Sequence, residues 1–464
     1  MKADKDHLKI CYIGGGSRNW AWVFIKDLAF EREIGGTIYL YDLDMEAARA
    51  NEEIGNRVMG EYNPGRWKFQ AEESLQKALE GSDFVFISIL PGDFTEMAVD
   101  VHAPEKYGIY QSVGDTVGPG GLIRALRTIP MYQTIARAIH DWASDAWVLN
   151  YTNPMTICTR TLYHEFPDVK AFGCCHEVFG TQKLLKKVVE RSGLAKDEEV
   201  RREDIITRVI GINHFTWIDR ATWKDIDLFP LYAKFADEFA ETGFEDGGDK
   251  NWLNSYFESC ERVKLDLFKR YGVIGAAGDR HLAEFCPPSW YLTNPEQVKQ
   301  WKFTLTPVSF RIEMREDLKR KSLAYRRGTE KFIPESSGEE GIRQIKALLG
   351  LGNLVTNVNL PNRGQMPDMP MSAVVETNAF FCRDSVQPLI TDGMPNPLRN
   401  LTLQHVQNQE GILEAALERD LEKAFLVFLN DQQIRKLSRD DARSLFKEMT
   451  DKTLSPEAGF KPLR

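Results

Sequence analysis

The stretch "LKICYIGGGSRNW" at residues 8–20 decides the fold. An apolar run opens it, and three consecutive glycines follow. Gly14 and Gly16 match the first two glycines of a dinucleotide-binding fingerprint, which permit a tight turn and close approach to a pyrophosphate. Asn19 stands in place of the third glycine, so the fingerprint is incomplete. Ser17 stands where a side chain would cap the next helix, whose N-terminus would face the phosphates.

The next apolar run, "TIYLYDL" at 37–43, carries Asp42 near its end. An acidic residue at the end of the second strand binds the ribose hydroxyls in such domains and favours NAD over NADP. A plain turn with a helix cap is the alternative, because glycine-rich turns often follow strands. The loop has no lysine, which excludes a P-loop.

Apolar runs alternate with helical patterns over the first 180 residues. The expected strands are 8–14, 37–43, 83–90, 146–152 and 169–175, and the expected helices are 17–31, 44–60, 72–80, 122–142 and 154–165. Near-continuous apolar strands are typical of a parallel sheet buried on both faces. The pattern predicts an α/β fold with a Rossmann-like, doubly wound, NAD-binding domain at 1–180, similar to lactate and malate dehydrogenases.

Residues 181–464 show a mixed pattern that predicts a C-terminal α+β domain for substrate, metal and oligomerisation. Helical periodicity is clear at 252–270, and strand-like stretches occur at 208–215, 303–310 and 372–381. We expect a homodimer or homotetramer.

Composition excludes several classes of function. The chain has 464 residues and a net charge of −9, which argues against a surface for nucleic acid or anionic membranes. It has no run of 18 apolar residues and no signal-peptide pattern, so we expect no membrane span. Seven cysteines are few for this length and favour a reduced cytoplasmic protein over a disulfide framework.

A dehydrogenase-like domain places its reaction at the carboxyl ends of its strands, and three further motifs are expected there. Asp115 lies in "SVGDTVGPGGLIRALRTIP" (112–130), Asn153 lies in "NYTNPM" (150–155), and "GCCHEV" spans 173–178. Asn153 precedes a proline, which favours an extended backbone that presents its amide to a ligand. We expect these motifs to converge near the nicotinamide.

A possible metal pair is formed by Cys175 and His214, the latter in "GINHFTW" (211–217). Thiolate and imidazole would leave positions open for a substrate on a divalent metal. The spacing alone does not decide this, because a cysteine is often a small buried hydrophobic residue and a single histidine is usually structural.

A last cluster of chemically active residues lies in "YGVIGAAGDRHLAEF" at 271–285. It contains Tyr271, Asp279, Arg280 and His281. The alternative interpretation is a surface turn with a capped helix.

These ordered motifs resemble the NAD- and manganese-dependent glycosidases of glycoside hydrolase family four, which include melibiase-like and phospho-glucosidase-like enzymes. The resemblance extends from "KICYIGGGS" through "GDTVGPGG", "NYTNP", "CHEV" and "GINHFTW" to "YGVIGAAGDRHLAEF", roughly the first 290 residues. Members of this family depart from the usual two-carboxylate mechanism of glycosidases.

The resemblance implies a set of site residues. Cys175 and His214 would bind Mn²⁺ or another divalent metal, and His176 would protonate the leaving oxygen. Tyr271 is the best match for the base that removes the C2 proton, with Asp279 as the alternative. The implied reaction oxidises C3 with NAD⁺, eliminates the C1 substituent, adds water and reduces C3 again.

Members with the "CHEV" signature include α-glucosidase-like and α-galacturonidase-like enzymes, and the "GDRHLAEF" stretch resembles the α-galacturonidase-like branch, which implies uronides from pectin as substrates. Arg280 is the candidate partner of the uronate carboxylate, and Asp115, Asn153 and His281 complete the candidate substrate site. Other candidate partners for the carboxylate are Arg124, Arg127 and Arg363.

Alternative activities in the same family are α-glucosidase, α-galactosidase and α-glucuronidase. From other classes, a malate- or lactate-type dehydrogenase or a cofactor-binding sensor without catalysis would also fit the first domain.

Overall fold

A computed structural model of the protein describes residues 3–196 and 198–463. The strands are β1 Leu8–Ile13, β2 Gly36–Tyr41, β3 Trp67–Ala71, β4 Phe84–Ile87, β5 Trp147–Asn150, β6 Lys170–Gly173, β7 Ile205–Ile212, β8 Phe215–Trp223, β9 Ile226–Asp227, β10 Ile274–Gly275, β11 Leu354–Pro361, β12 Val374–Cys382 and β13 Ser385–Pro388.

Most helices cover the sheets or build the C-terminal half. The helices are α1 Trp20–Leu28, α2 Met45–Tyr62, α3 Leu75–Leu79, α4 Phe94–His102, α5 Gly118–Trp142, α6 Met155–Glu165, α7 Glu177–Arg191, α8 Phe229–Phe239, α9 Arg262–Tyr271, α10 Asp279–Glu284, α11 Pro288–Tyr291, α12 Pro295–Gln300, α13 Val308–Arg327, α14 Gly341–Leu348, α15 Asn396–Leu417, α16 Leu421–Asn430 and α17 Arg439–Thr453.

The N-terminal strands form a parallel sheet that is buried on both faces. Alternate residues of β1 enter two different cores: Ile10 and Tyr12 pack on one face, while Cys11 and Ile13 pack on the other. This two-sided burial is why the strands are apolar almost without interruption. The predicted doubly wound α/β domain is confirmed.

The order of these parallel strands is β3-β2-β1-β4-β5-β6, the order of a dinucleotide-binding fold. The order reverses between β1 and β4, and a crevice for a ligand forms at this point. The glycine loop that follows β1 lies at this edge of the sheet.

Three strands of the C-terminal half extend the same sheet. β11 pairs antiparallel with β6 through Asn359 and Gly173, and β12 and β13 continue outward to give nine strands in the described residues. The first sheet therefore continues beyond the boundary predicted at residue 180. A smaller sheet, β10-β8-β7, forms the core of the rest with α8, α9 and α10.

Several local predictions differ from the structure. The strand predicted at 303–310 is absent from the described residues: Pro307 precedes α13, which begins at Val308. The alternating pattern there arises because Phe303, Thr306 and Val308 are buried from an irregular segment. The helix predicted at 252–270 begins only at Arg262. None of the described helices is both long enough and apolar enough to span a membrane.

Candidate functional site

The glycine loop makes the close contacts that the fingerprint predicts. Gly14 has a φ of +95°, and a Cβ atom there would lie 2.0 Å from the carbonyl oxygen of Ser88 on the neighbouring strand. Ser17 Oγ accepts a hydrogen bond of 3.0 Å from the backbone N–H of Trp20, the first residue of α1. Asn19 directly precedes the helix but makes no side-chain cap, so Ser17 caps it instead.

Asp42 lies directly beneath this loop. Its Oδ2 accepts the N–H of Gly16 at 2.8 Å, and its Oδ1 accepts the N–H of Asp44 at 2.9 Å. Burial raises the pKa of the Asp42 carboxyl, although these two N–H groups oppose that effect. A carboxylate has about four acceptor positions, so lone pairs remain for a diol. Asp42 and the loop therefore fit an adenine dinucleotide. Asn19 stands in place of the third glycine, and Ser17 caps the helix that follows.

A cluster of one carboxylate and two imidazoles lies at the same edge of the sheet. The candidate ligand atoms of Asp115, His214 and His281 all lie within 4.8 Å of one another. Among the described residues, this is the group of three or more His, Cys, Asp or Glu side chains that could hold a metal ion. The two imidazole rings stack with centroids 3.8 Å apart. Imidazole and carboxylate donors suit Mn²⁺, so these residues fit a divalent cation.

Distant parts of the chain deliver these three side chains. Asp115 lies in the loop before α5, His214 in the turn between β7 and β8, and His281 in α10. His214 has a left-handed backbone with φ of 64°, which is uncommon for a residue with a side chain and is frequent at functional sites. Nδ1 of His214 is 2.8 Å from Thr116 Oγ1, which leaves Nε2 for a ligand.

Burial and neighbouring charges shift the pKa values of the cluster residues in directions that favour cation binding. Burial lowers the pKa of His214 to about 3, and the neighbouring His281 adds to this effect. Burial alone would raise the pKa of the Asp115 carboxyl, but His214, His281 and Arg124 outweigh it and hold that pKa below its usual range. The cluster thus offers a neutral imidazole and an ionised carboxylate, the protonation states that bind metals.

Glu177 contacts the third side chain of the cluster, His281. Its Oε1 lies 3.3 Å from His281 Nδ1, and its Oε2 accepts the N–H of Gly278 at 2.6 Å. Burial acts against the charge of His281, but Glu177 outweighs it and raises the pKa of the imidazole. Such a carboxylate–histidine pair fixes the orientation of a ligand ring.

Cys175 lies buried at the end of β6, beside a buried polar network. Asn213 and Asn357 donate to the two oxygens of Glu376 at 3.2 and 2.7 Å, and burial raises the pKa of this carboxyl to about 7. Burial also raises the pKa of the Cys175 thiol, and Glu376 and Glu177 raise it further. The structure does not test the predicted pairing of Cys175 with His214, which stays a prediction.

His176 is the most accessible of the predicted catalytic residues, with 51% of its side chain exposed. Its ring lies 5.5 Å from that of Trp20, and its Nδ1 lies 3.6 Å from Glu339 Oε1. It borders a cavity of about 280 Å³, which is also lined by Glu177, Lys264 and Gly278. An accessible imidazole beside a cavity can exchange a proton with a bound molecule.

Asn153 lies beside Asp115. Its Nδ2 donates to Asp115 Oδ2 at 3.4 Å, while its Oδ1 is buried and has no hydrogen-bond partner in the described residues. A buried acceptor without a partner is costly, so this amide oxygen is suited to a ligand donor.

Tyr271 and Asp279 have different environments. Tyr271 ends α9, is partly buried and packs edge-on against Trp217. Asp279 is fully buried, and its two oxygens accept the N–H groups of Val263 and Lys264 in the first turn of α9. Burial and the neighbouring Glu261 raise the pKa of Asp279 to about 7. Asp279 thus caps a helix.

Arg280 lies in the wall of the site, 9% exposed. It donates to Ser112 O at 3.1 Å and to Thr306 Oγ1, while its Nε is buried without a partner. Arg127 is engaged with Asp100 in a buried pair, whereas Arg363 is exposed and lies over the ring of Tyr163.

Three polar residues near the site, Thr116, Glu177 and Glu376, have no role predicted from the sequence. Glu177 stood within the quoted "GCCHEV" motif, so its position gave a signal. Glu376 stood inside an apolar strand pattern, where a charged residue expected to be buried is itself a signal of function.

Comparison with known proteins matches the chain to one enzyme family. Residues 9–191 match the model of the family 4 glycosyl hydrolases, and residues 209–434 match the family 4 glycosyl hydrolase C-terminal domain. An α-galacturonidase of Thermoanaerobacter italicus is 58% identical over 445 residues, covering 96% of each chain.

Solved structures show the same fold. The lplD protein of Bacillus subtilis superposes with a TM-score of 0.91 at 51% identity, covering 96% of this chain and 100% of that one. A 6-phospho-α-glucosidase from gut microorganisms, solved with NAD and Mn²⁺, gives a TM-score of 0.77 at 21% identity, covering 96% and 98%. The two matched models together cover most of the chain, which therefore belongs to the family 4 glycosyl hydrolases.

Proposed function

We propose that the protein hydrolyses α-D-galacturonides with the help of NAD and a divalent metal, Mn²⁺ being the expected ion. One observation carries this proposal. The cluster of Asp115, His214 and His281 lies at the same edge of the parallel sheet as the glycine loop, where the strand order reverses between β1 and β4. The 58% identity to an α-galacturonidase supports the choice of sugar. Family membership argues against the dehydrogenase and the sensor without catalysis.

When bound, NAD⁺ supplies reversible hydride transfer at C3 of the sugar, and the cation supplies polarisation of the carbonyl group formed there. The family resemblance assigns the cation to Cys175 and His214, and the cluster geometry adds Asp115 and His281 as donors. His214 is common to both sets. The buried Cys175 thiol would lose its proton on binding the metal.

His176 is proposed to donate the proton to the leaving oxygen. It is the accessible imidazole at the cavity, and Glu339 lies 3.6 Å from its Nδ1. Glu339 lies beside one ring nitrogen, which leaves the other nitrogen to act on the substrate.

Tyr271 is proposed as the base at C2 in preference to Asp279, because both carboxylate oxygens of Asp279 already accept backbone N–H groups. Burial raises the pKa of Tyr271, and the adjacent Arg270 guanidinium acts in the opposite direction. Substituting Tyr271 with Phe should abolish exchange of the C2 hydrogen with solvent. Tyr256, which lies beside the site and is 38% exposed, is the matched control; loss in Tyr256→Phe alone would reassign the base.

Arg280 is the proposed partner of the uronate carboxylate, with Asn153 and Asp115 placed to bind sugar hydroxyls. A local cation is required, because a net charge of −9 does not attract an anionic substrate.

Turnover of a panel of p-nitrophenyl glycosides tests the proposal. The α-galacturonide, α-glucuronide, α-galactoside and α-glucoside are compared at equal concentration with NAD⁺ and Mn²⁺ under reducing conditions. The α-galacturonide should react fastest, without net NADH formation. Faster turnover of a neutral glycoside would contradict the substrate class, and net NADH formation would contradict the reaction.

We further propose a homodimer or homotetramer in the cytoplasm. The seven cysteines are all free in the structure, which supports a reducing compartment. Light scattering after size exclusion tests the assembly; a monomeric mass at working concentration would contradict it.

A further inference from the structure

Two guanidinium groups meet at one aromatic ring in the wall of the site. The Cζ atom of Arg280 lies 5.3 Å from the centroid of the Phe257 ring, and that of Arg311 lies 5.6 Å from the same centroid. Arg280 comes from α10 and Arg311 from the first turn of α13, so the two residues belong to separate elements. The ring, 42% exposed, lies in the irregular segment before α9.

Neither guanidinium has an acidic partner in contact. In residues 3–196 and 198–463, no carboxylate oxygen lies within 4.0 Å of Arg280 or Arg311, whereas Arg127 pairs with Asp100 and Arg315 pairs with Glu316. Burial and the proximity of Arg311 together lower the pKa of Arg280 to about 10. Two like charges are thus held together in a partly desolvated wall, an arrangement that is unfavourable without an anion.

The fixed acids nearby do not neutralise this pair. Asp115 faces the two imidazoles of the metal cluster, and Glu284 accepts the N–H groups of Val113 and Gly114. Burial raises the pKa of Glu284 to about 7, so this side chain is only partly ionised near neutrality. These acids act on the two guanidiniums from beyond contact distance, so neither guanidinium has a direct carboxylate partner among the described residues.

The donors of Arg280 are partly fixed and partly open. One nitrogen, Nη2, is held by Ser112 O and Thr306 Oγ1, which sets the plane of the guanidinium. Its Nε is buried without a partner, and no hydrogen bond of Arg311 occurs within the described residues. Preset guanidinium donors that still lack an acceptor match a planar carboxylate.

We propose that Arg280 and Arg311 together form a carboxylate-binding site at one end of the sugar pocket, and that Arg311 is a specificity-determining residue for uronides. This inference rests on the proposed function, which supplied only Arg280. A uronate carboxylate and a sugar 6-phosphate both place an anionic group at C6 of the sugar, where this site would bind it. A carboxylate is favoured over a phosphate, because the plane of the Arg280 guanidinium is fixed by Ser112 O and Thr306 Oγ1, and a planar fork of donors matches a planar carboxylate.

The test compares Arg311→Gln with Arg315→Gln, one turn further along the same helix, where Arg315 pairs with Glu316. kcat/KM is measured on p-nitrophenyl α-galacturonide, on the α-galactoside and on an α-glucoside 6-phosphate. Loss of a charge-assisted bidentate contact should reduce uronide turnover by roughly 10- to 100-fold, with a change below about threefold on the galactoside. Arg315→Gln should match the wild type.

Calorimetric titration of the NAD⁺- and Mn²⁺-loaded enzyme with galacturonate and galactose keeps the test decisive if turnover is lost altogether. Arg311→Gln should lose the preference for galacturonate, and Arg311→Lys should keep part of it. Retention of the full uronide preference in Arg311→Gln overturns the inference, and so does faster turnover of the 6-phosphate by the wild type. A wild-type enzyme without any preference for an anionic sugar would instead refute the proposed function.

Discussion

Replacing His281 with Ala gives the sharpest separation between the two possible metal sites. In the structure His281 belongs to the group with Asp115 and His214, whereas the family resemblance assigns the metal to Cys175 and His214. The ring of His281 turns its Nδ1 to Glu177 at 3.3 Å, so its Nε2 is the nitrogen left for a metal.

The expected loss is large because His281 would be one of three protein donors. Loss of an outer partner of a ligand already weakens metal binding by about 10- to 100-fold, so loss of a direct donor should weaken it by about 100-fold or more. That corresponds to at least about 2.7 kcal/mol of binding free energy.

Electron paramagnetic resonance of free Mn²⁺, recorded during titration of the NAD⁺-loaded enzyme, measures this affinity directly. His140→Ala is the matched control, since His140 is exposed on α5, where it pairs with Asp141 and packs edge-on against Phe166. Cys175→Ser is measured in parallel. Unchanged Mn²⁺ affinity in His281→Ala, together with a loss in Cys175→Ser, would refute the three-residue cluster as the metal site and leave the cysteine–histidine pair.

Three further predictions address other residues. Asp42→Ala should weaken NAD⁺ binding by about 1–3 kcal/mol in calorimetry, the value of charge-assisted hydrogen bonds, whereas Asp44→Ala should not; equal affinities would mean that Asp42 does not bind the ribose. His176→Ala should lose most activity on alkyl glycosides but little on activated aryl glycosides, which need no protonation on departure; equal losses would assign it to positioning. Burial raises the pKa of Asp431 from 3.8 to about 6. Because the folded state then binds this proton more tightly than the unfolded chain, this group's contribution to the free energy of unfolding should fall by about 3 kcal/mol as pH rises from well below 3.8 to well above 6, and Asp431→Asn should remove that fall in denaturant titrations.

The first domain was predictable because its signals are local. Each strand buried on both faces is a short apolar run, and the glycine loop follows β1 within the same stretch of sequence. The edge strand β3 was missed, because its sequence "WKFQA" alternates in burial and has little apolar character. The union of β11 with β6 was missed as well, since it joins residues nearly two hundred positions apart.

The sequence drew attention to single residues of the candidate site but not to their contacts. Asp115, His214 and His281 were each selected from separate motifs, yet their approach within 4.8 Å depends on how α10 and the turn before β8 pack together. Arg311 could not be found, because it lies in a highly charged stretch that is typical of an exposed helix. The structure shows that Phe257 and Arg280 lie beside Arg311 in the first turn of α13, and the sequence pattern does not show this.

The measurement that tests the central claim most directly is deuterium incorporation during hydrolysis in D₂O. The enzyme is stripped of metal and nucleotide, then supplied with α-galacturonide and with NAD⁺ and Mn²⁺ separately and together. Proton removal at C2 followed by addition of water should place one deuterium at C2 of the released galacturonate, only when both are present and without net NADH. Release of galacturonate by the stripped enzyme, or without deuterium at C2, would contradict the account.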